Sequence, residues 1–176
     1  MKLCIGGFAM FRLTDKQIAE YFQRSYTSVD GLWFMKIEER YDFDTALDID
    51  KNVWKVFPKI QARTMKSLCG LGYGIEALRE AIEAKHTIEK YGFEIETTKS
   101  GDSFTCLVTE CPWFNLMVKS GREHLAHKVG EAICEIEYPV WATEFGDSLR
   151  FTMEGKLCSG SKCCIMTFTE TKLSKK

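Results

Sequence analysis

The sequence predicts an α+β domain in which helices pack on a small antiparallel sheet made of two hairpins. Three observations carry that expectation. Apolar residues recur at spacings of three and four from Ile18 to Ile88, the period of helices that bury one face. The pattern switches to alternation at Phe93, Ile95 and Thr97, and again at Phe104, Cys106 and Val108, the period of strands with one covered side. A helical stretch followed by alternating ones returns between Arg122 and Thr169, and helices and strands grouped in separate runs mark an α+β rather than an α/β protein.

Thr14, with Gln17 three residues on, forms a capping box, because the hydroxyl accepts from the third backbone N–H while the amide reaches back. A first helix is expected from there to about Arg40, with Ile18, Tyr21, Phe22, Tyr26, Val29, Trp33, Phe34 and Ile37 as an aromatic stripe on one face. Gly31 costs that helix about 1 kcal/mol relative to alanine, so a bend or a close contact is expected at Asp30 and Gly31. Asp44 is the expected cap of a second helix carrying Leu47, Ile49, Val53, Trp54 and Phe57. Pro58 lacks the N–H that an unbroken helix needs, so the helix kinks there or restarts with Pro58 in its first turn. The restarted piece carries Ile60, Met65 and Leu68 and ends at Gly70 and Gly72.

Ile75 to Tyr91 reads as a third helix with Leu78, Ile82 and Ile88 inward and His86 half-exposed. A hairpin follows across Lys99, Ser100, Gly101 and Asp102, after which Pro112 opens a short helical turn. Arg122 to Cys134 is helical through Leu125, Val129, Ala132 and Ile133, and Tyr138 to Phe145 starts a separate short helix around Pro139. Leu149 to Met153 and Ile165 to Thr169 make the last strands. One domain over residues 1–176 is expected, with residues 1–12 and 172–176 as loose ends.

At 176 residues the chain suffices for one core and is short for two. Apolar residues at 45%, charged residues at 28% and a net charge of −1 describe an ordinary soluble globular composition. That near-neutral balance argues against a nucleic-acid partner, since neutralising phosphates needs a basic excess. No apolar run approaches the roughly 20 residues of a bilayer span. A cytoplasmic protein without membrane or nucleic-acid partners is expected. Aromatics on the first helix serve either the core or a homodimer face.

Eight cysteines are present. In a reducing compartment clustered thiols point to metal or redox chemistry before disulfides. Zinc takes four tetrahedral ligands. Cys158 and Cys163 around Gly160 supply half a site, Cys134 can supply a third ligand, and Glu154, Cys111, Cys164, His124 or water the fourth. Neighbours on an extended strand face opposite ways, which sets Cys163 against Cys164 as alternatives. A reversible disulfide and plain apolar packing remain the other readings of the same thiols.

The succession of Val129, Gly130 and Cys134, then Tyr138 to Phe145 and Gly146, then Cys158, a glycine turn and Cys163 resembles the C-terminal half of the 4-vinyl reductase domain, over residues 104–169. That resemblance implies a small-molecule-binding module related to the sensor domains of phenol- and xylene-responsive transcription activators. It also implies a zinc-type site with Cys134, Cys158 and Cys163 as ligands and Glu154 near an acidic one. Over most of its length the chain also resembles uncharacterised bacterial and archaeal proteins in the neighbourhood of L-2-amino-thiazoline-4-carboxylic acid hydrolase. The segments that carry this are Val29 to Phe34, Pro58 to Arg63, Cys111 to Trp113 and Ser120 to Leu125.

Asp30, Glu38, Asp50, Gln61 and Arg63 stand among aromatics on the first helices, as polar groups that orient a ligand within apolar walls do, or as ion-paired positions between helices. Tyr26, Asp30, Trp33, Trp54 and Arg63 are the candidate ligand-binding residues for a small organic ligand. Arg63 with Arg122 would suit a carboxylate. His124 and His127 share a helix face; with Cys111, His124 would make a thiol–imidazole nucleophile. Two functions follow. One is a small-molecule-binding domain with a structural zinc site at Cys134, Cys158, Cys163 and Glu154. The other is a hydrolase of a small heterocyclic or amide-like substrate, working through zinc-bound water or Cys111.

Overall fold

The computed structural model describes residues 12–171. Among these, six α-helices accompany one four-stranded antiparallel sheet. The apolar opening with Cys4 and the lysine-rich end lie outside the described residues.

Helix α1 (Asp15–Arg40) starts at the capping box: Thr14 Oγ1 accepts from Gln17 N–H at 3.2 Å, and the Gln17 amide oxygen accepts from Thr14 N–H at 2.9 Å. It runs unbroken through Gly31. A Cβ there would meet nothing within 4 Å, so this glycine neither bends the helix nor serves a close contact. The aromatic stripe divides between two faces. Tyr26, Phe34 and Ile37 turn inward and are half-buried, whereas Tyr21, Phe22, Val29 and Trp33 are exposed.

Helix α2 (Phe43–Trp54) is capped by Asp42 and not by Asp44, because the Asp42 carboxylate is the one that accepts from Thr45 N–H, at 2.7 Å. Asp44 falls in the first turn, where the helix dipole still favours its charge. Helix α3 (Phe57–Cys69) restarts with Pro58 in its first turn and closes on Gly70 at φ 65°, the left-handed conformation that glycine adopts without a Cβ penalty. Helix α4 (Ile75–Glu89) buries Leu78, Ala81 and Ile82.

Strands β1 (Gly92–Thr97), β2 (Ser103–Glu110), β3 (Leu149–Glu154) and β4 (Cys164–Glu170) lie in the order β1-β2-β4-β3. Two hairpins are thus joined through β2 and β4. Their register sets Phe104 opposite Phe168, Cys106 opposite Met166 and Val108 opposite Cys164. These side chains are buried beneath α4 and the later helix α6 (Glu123–Phe145). On the other face the polar alternates include Thr105 and Thr167, hydrogen-bonded at 3.1 Å.

Between the hairpins run α5 (Pro112–Lys119) and α6 (Glu123–Phe145). The expected break before Tyr138 does not occur: α6 is one helix with Pro139 inside it. A proline in a helix interior costs about 3 kcal/mol. Tyr138, Trp141, Ala142 and Phe145, all buried, offset that cost at about 1.5–3 kcal/mol per large side chain. Among the described residues no helix is long and apolar enough to cross a membrane.

Candidate functional site

Where α1, α2 and α5 meet the first half of α6, the apolar faces leave space. A cavity of about 110 Å³ is walled by Trp54, Trp113, Phe114, Met117, Val129 and Ile133 and floored by Met153, Leu157 and four thiols. It adjoins an outer pocket of about 420 Å³ lined by Phe34, Met35, Leu116 and Arg122. Asp30, Asp50, Trp113, Met117 and Val129 border both spaces. The outer volume lies within the roughly 300–1,000 Å³ of ordinary ligand pockets.

The aromatic walls are ordered by mutual edge-to-face contacts. Trp113 packs against Trp54 with ring centroids 6.0 Å apart and against Tyr26 at 5.6 Å, a geometry in which the positive edge of one ring meets the negative face of the next. Tyr26 thus stands behind Trp113, its hydroxyl buried without a hydrogen-bond partner among the described residues. Burial pushes that phenol up, and the nearby carboxylates, Asp30 and Asp50 among them, push it further.

Asp30 and Asp50 supply the cavity mouth with charge. Burial raises the Asp30 carboxyl. Burial also pushes Asp50 up to about 7, with the Asp30 charge adding to the shift and a Trp54 hydrogen bond opposing it. Among the described residues no lysine or arginine lines the inner cavity. Arg122 at the outer pocket is ion-paired with Glu38.

Cys111, Cys134, Cys158 and Cys164 form the thiol floor. Cys111 precedes α5, Cys134 projects from α6, Cys158 lies in a short 3₁₀ turn (Leu157–Ser159) and Cys164 opens β4. That turn is tied to α6 by Lys156, whose ammonium donates to Glu135 at 2.9 Å and Glu131 at 3.3 Å, and by a 2.8 Å contact of Ser159 with His127 Nδ1. Gly130 lets it approach, since a Cβ there would lie 2.8 Å from Cys158 Sγ. All four are free thiols. Burial raises Cys111 and Cys134, and carries Cys164 to about 11 even though Leu157 N–H donates to its sulfur at 3.3 Å. These three are therefore protonated at neutral pH. Among the described residues no three His, Cys, Asp or Glu side chains are gathered as a group that could hold a metal ion.

Behind the cavity lies a buried polar layer. Lys85 sits between Glu137 at 3.0 Å and Glu89 at 2.8 Å. Burial disfavours its ammonium, but the two carboxylates more than restore it and its pKa stands raised. Glu137 is raised by burial, with Lys85 working against the shift. His86, which the sequence placed half-exposed, is fully buried, with Nε2 3.1 Å from the Tyr138 hydroxyl and Nδ1 3.3 Å from Cys106 Sγ. The four-residue steps Leu78, Ile82, His86 already put His86 on the apolar side of α4. Glu137 meeting Lys85, 52 positions apart in the chain, left no such local signal.

The structure gathers some of the expected site residues and separates others. Asp30, Trp54, Cys111, Cys134 and Cys158 line the inner cavity, and Tyr26 backs its wall. Trp33 is 67% exposed and lines neither space. Arg63 grips Glu144 of α6 bidentately, at 2.8 and 3.2 Å, away from the cavity and from Arg122. Cys163 is half-buried, Glu154 is exposed at the end of β3, and His124 is exposed in the first turn of α6. None of these three lines the cavity, where Cys164 stands instead.

Residues 13–153 match a family of unknown function (DUF6125). No curated protein matches the chain.

Proposed function

The chain belongs to that family, whose description assigns no chemistry, and from its own site we propose that it is a small-molecule-binding domain whose ligand occupies the two joined spaces between α1, α2, α5 and α6. The observation that carries this is the composition of the cavity: aromatic walls closed on the inside, two carboxylates at the junction and an outer space of ligand size. Such a site accepts an apolar ring and, with Asp30 and Asp50 lacking a basic neighbour in the inner lining, favours a ring that carries a positive nitrogen. Cation and aromatic wall add a further attraction of about 0.5–2 kcal/mol. Tryptamine, tested against neutral indole and against indole-3-propionate, is expected to raise the unfolding midpoint most, and Asp50→Asn is expected to remove the advantage of the amine. Absence of any shift with all three compounds would remove the reading.

A second reading is favoured by the four thiols on one cavity floor: Cys111, Cys134, Cys158 and Cys164, once turned toward one another and deprotonated, would hold a zinc ion structurally. It changes the ligand set expected from sequence by placing Cys164 and Cys111 where Cys163 and Glu154 stood. Protein purified without added metal is then expected to carry close to one zinc per chain and to show four thiols protected from titration. A full complement of reactive thiols and no zinc would exclude it.

A further inference from the structure

The outward face of α1 has no partner among the described residues. Helix α1 contributes no buried residue at all, although it is 26 residues and about 39 Å long. Ile18, Tyr21, Phe22, Val29, Leu32 and Trp33 follow one another at helical spacing along this face and are 40%, 65%, 65%, 52%, 54% and 67% exposed. Isolated exposed apolar residues are ordinary; a continuous stripe over four turns is not.

We propose that this stripe is the contact through which two copies of the chain associate, with their α1 helices antiparallel. Area selects the second copy as occupant. With three aromatics among them, each able to bury about 150–250 Å², the six side chains offer on the order of 600–800 Å², close to the ~800 Å² that each partner contributes to a stable interface. Symmetry suits the pattern as well. A two-fold axis between Ser25 and Val29 sets the smallest side chains of the stripe where the helices cross, and lays Tyr21 and Phe22 against Trp33 and Leu32 of the second copy. Asp15 and Arg40, at opposite ends of one flank, then meet as two opposite-charge pairs, and the helix dipoles run head to tail. Of the six, Leu32 borders the outer pocket and none lines the inner cavity, so the interface meets the ligand site only at the rim of the outer pocket.

Sedimentation of the full chain across micromolar to near-millimolar concentrations tests this directly. Twice the chain mass is expected, with Phe22→Asp and Trp33→Asp each weakening association at least about tenfold. Leu68→Asp, at a side chain 79% exposed on α3, is expected to leave it unchanged. Because Phe22 and Trp33 are both exposed in the single chain, far-UV circular dichroism and the unfolding midpoint of dilute Phe22→Asp and Trp33→Asp protein should match those of the parent diluted to the single chain. A single-chain mass throughout, a dimer insensitive to both α1 substitutions, or one abolished by Leu68→Asp would each overturn the proposal. A chain that stays single while binding neutral phosphatidylcholine vesicles through the same two residues would overturn it too.

Discussion

Half-buried Asp50 and fully buried His86 give this protein opposing responses to acid. Burial, with Asp30 beside it, pushes Asp50 up to about 7, above the roughly 3.9 of an unfolded aspartate. The folded state therefore keeps this proton longer, and the associated stability is present below about pH 4 and lost as pH rises through 7. His86 is displaced the other way: burial and the Lys85 charge lower it well below 6.5. It folds neutral, so stability is lost as pH falls through the unfolded value and beyond. Between about pH 4 and 6.5 the two slopes oppose each other. Asp50→Asn is accordingly expected to be more stable than the parent at pH 8, by on the order of 1–2 kcal/mol once solvent screening is allowed for, and to lose stability more steeply on acidification. Urea unfolding at several pH values reads both effects, and parallel curves for the two proteins would show that Asp50 does not titrate as described.

At the level of elements, α6 does two jobs along one axis. Its second half fills the core with Tyr138, Trp141 and Phe145, and its first half offers Val129, Gly130, Ile133 and Cys134 to the cavity. Gly130 is the hinge between helix preference and site geometry. Alanine would favour the helix by about 1 kcal/mol, but its Cβ would lie 2.8 Å from Cys158 Sγ and 3.4 Å from Cys158 Cβ. Gly130→Ala alone is therefore expected to be neutral or destabilising, whereas in a Cys158→Ala background the same change is expected to stabilise by about 0.5–1 kcal/mol. Chemical denaturation of the four proteins completes the cycle. Stabilisation of equal size in both backgrounds would mean that the 3₁₀ turn moves aside at no cost.

Across the whole molecule, the sequence was legible wherever structure is local. The capping box at Thr14, the restart at Pro58, the stop at Gly70 and both hairpins are encoded within a few residues of where they act. What failed needed the tertiary fold. Pro139 reads as a break because its neighbours in sequence cannot reveal the core that Trp141 and Phe145 fill. The stripe on α1 reads as one face because periodicity shows that residues align, not whether anything covers them. The site was legible in part for the same reason: Cys134, Cys158, Trp54 and Asp30 were named from residue type and spacing, but only the return of β4 beside β2 decides that Cys164 rather than Cys163 faces the cavity.

That return has a kinetic side. β1 and β2 are joined by a short turn, and β3 and β4 by a loop that contains one 3₁₀ turn, so each hairpin closes at the low entropic expense of a local contact. The pairing of β2 with β4 spans α5 and α6, with Ser103 opposite Thr169 and Val108 opposite Cys164. Long-range pairings of that kind are slow, because a large loop must close before its contacts form. The strand junction that completes the sheet is also what brings Cys164 to the cavity floor, so the shape of the pocket depends on the contact with the largest loop to close.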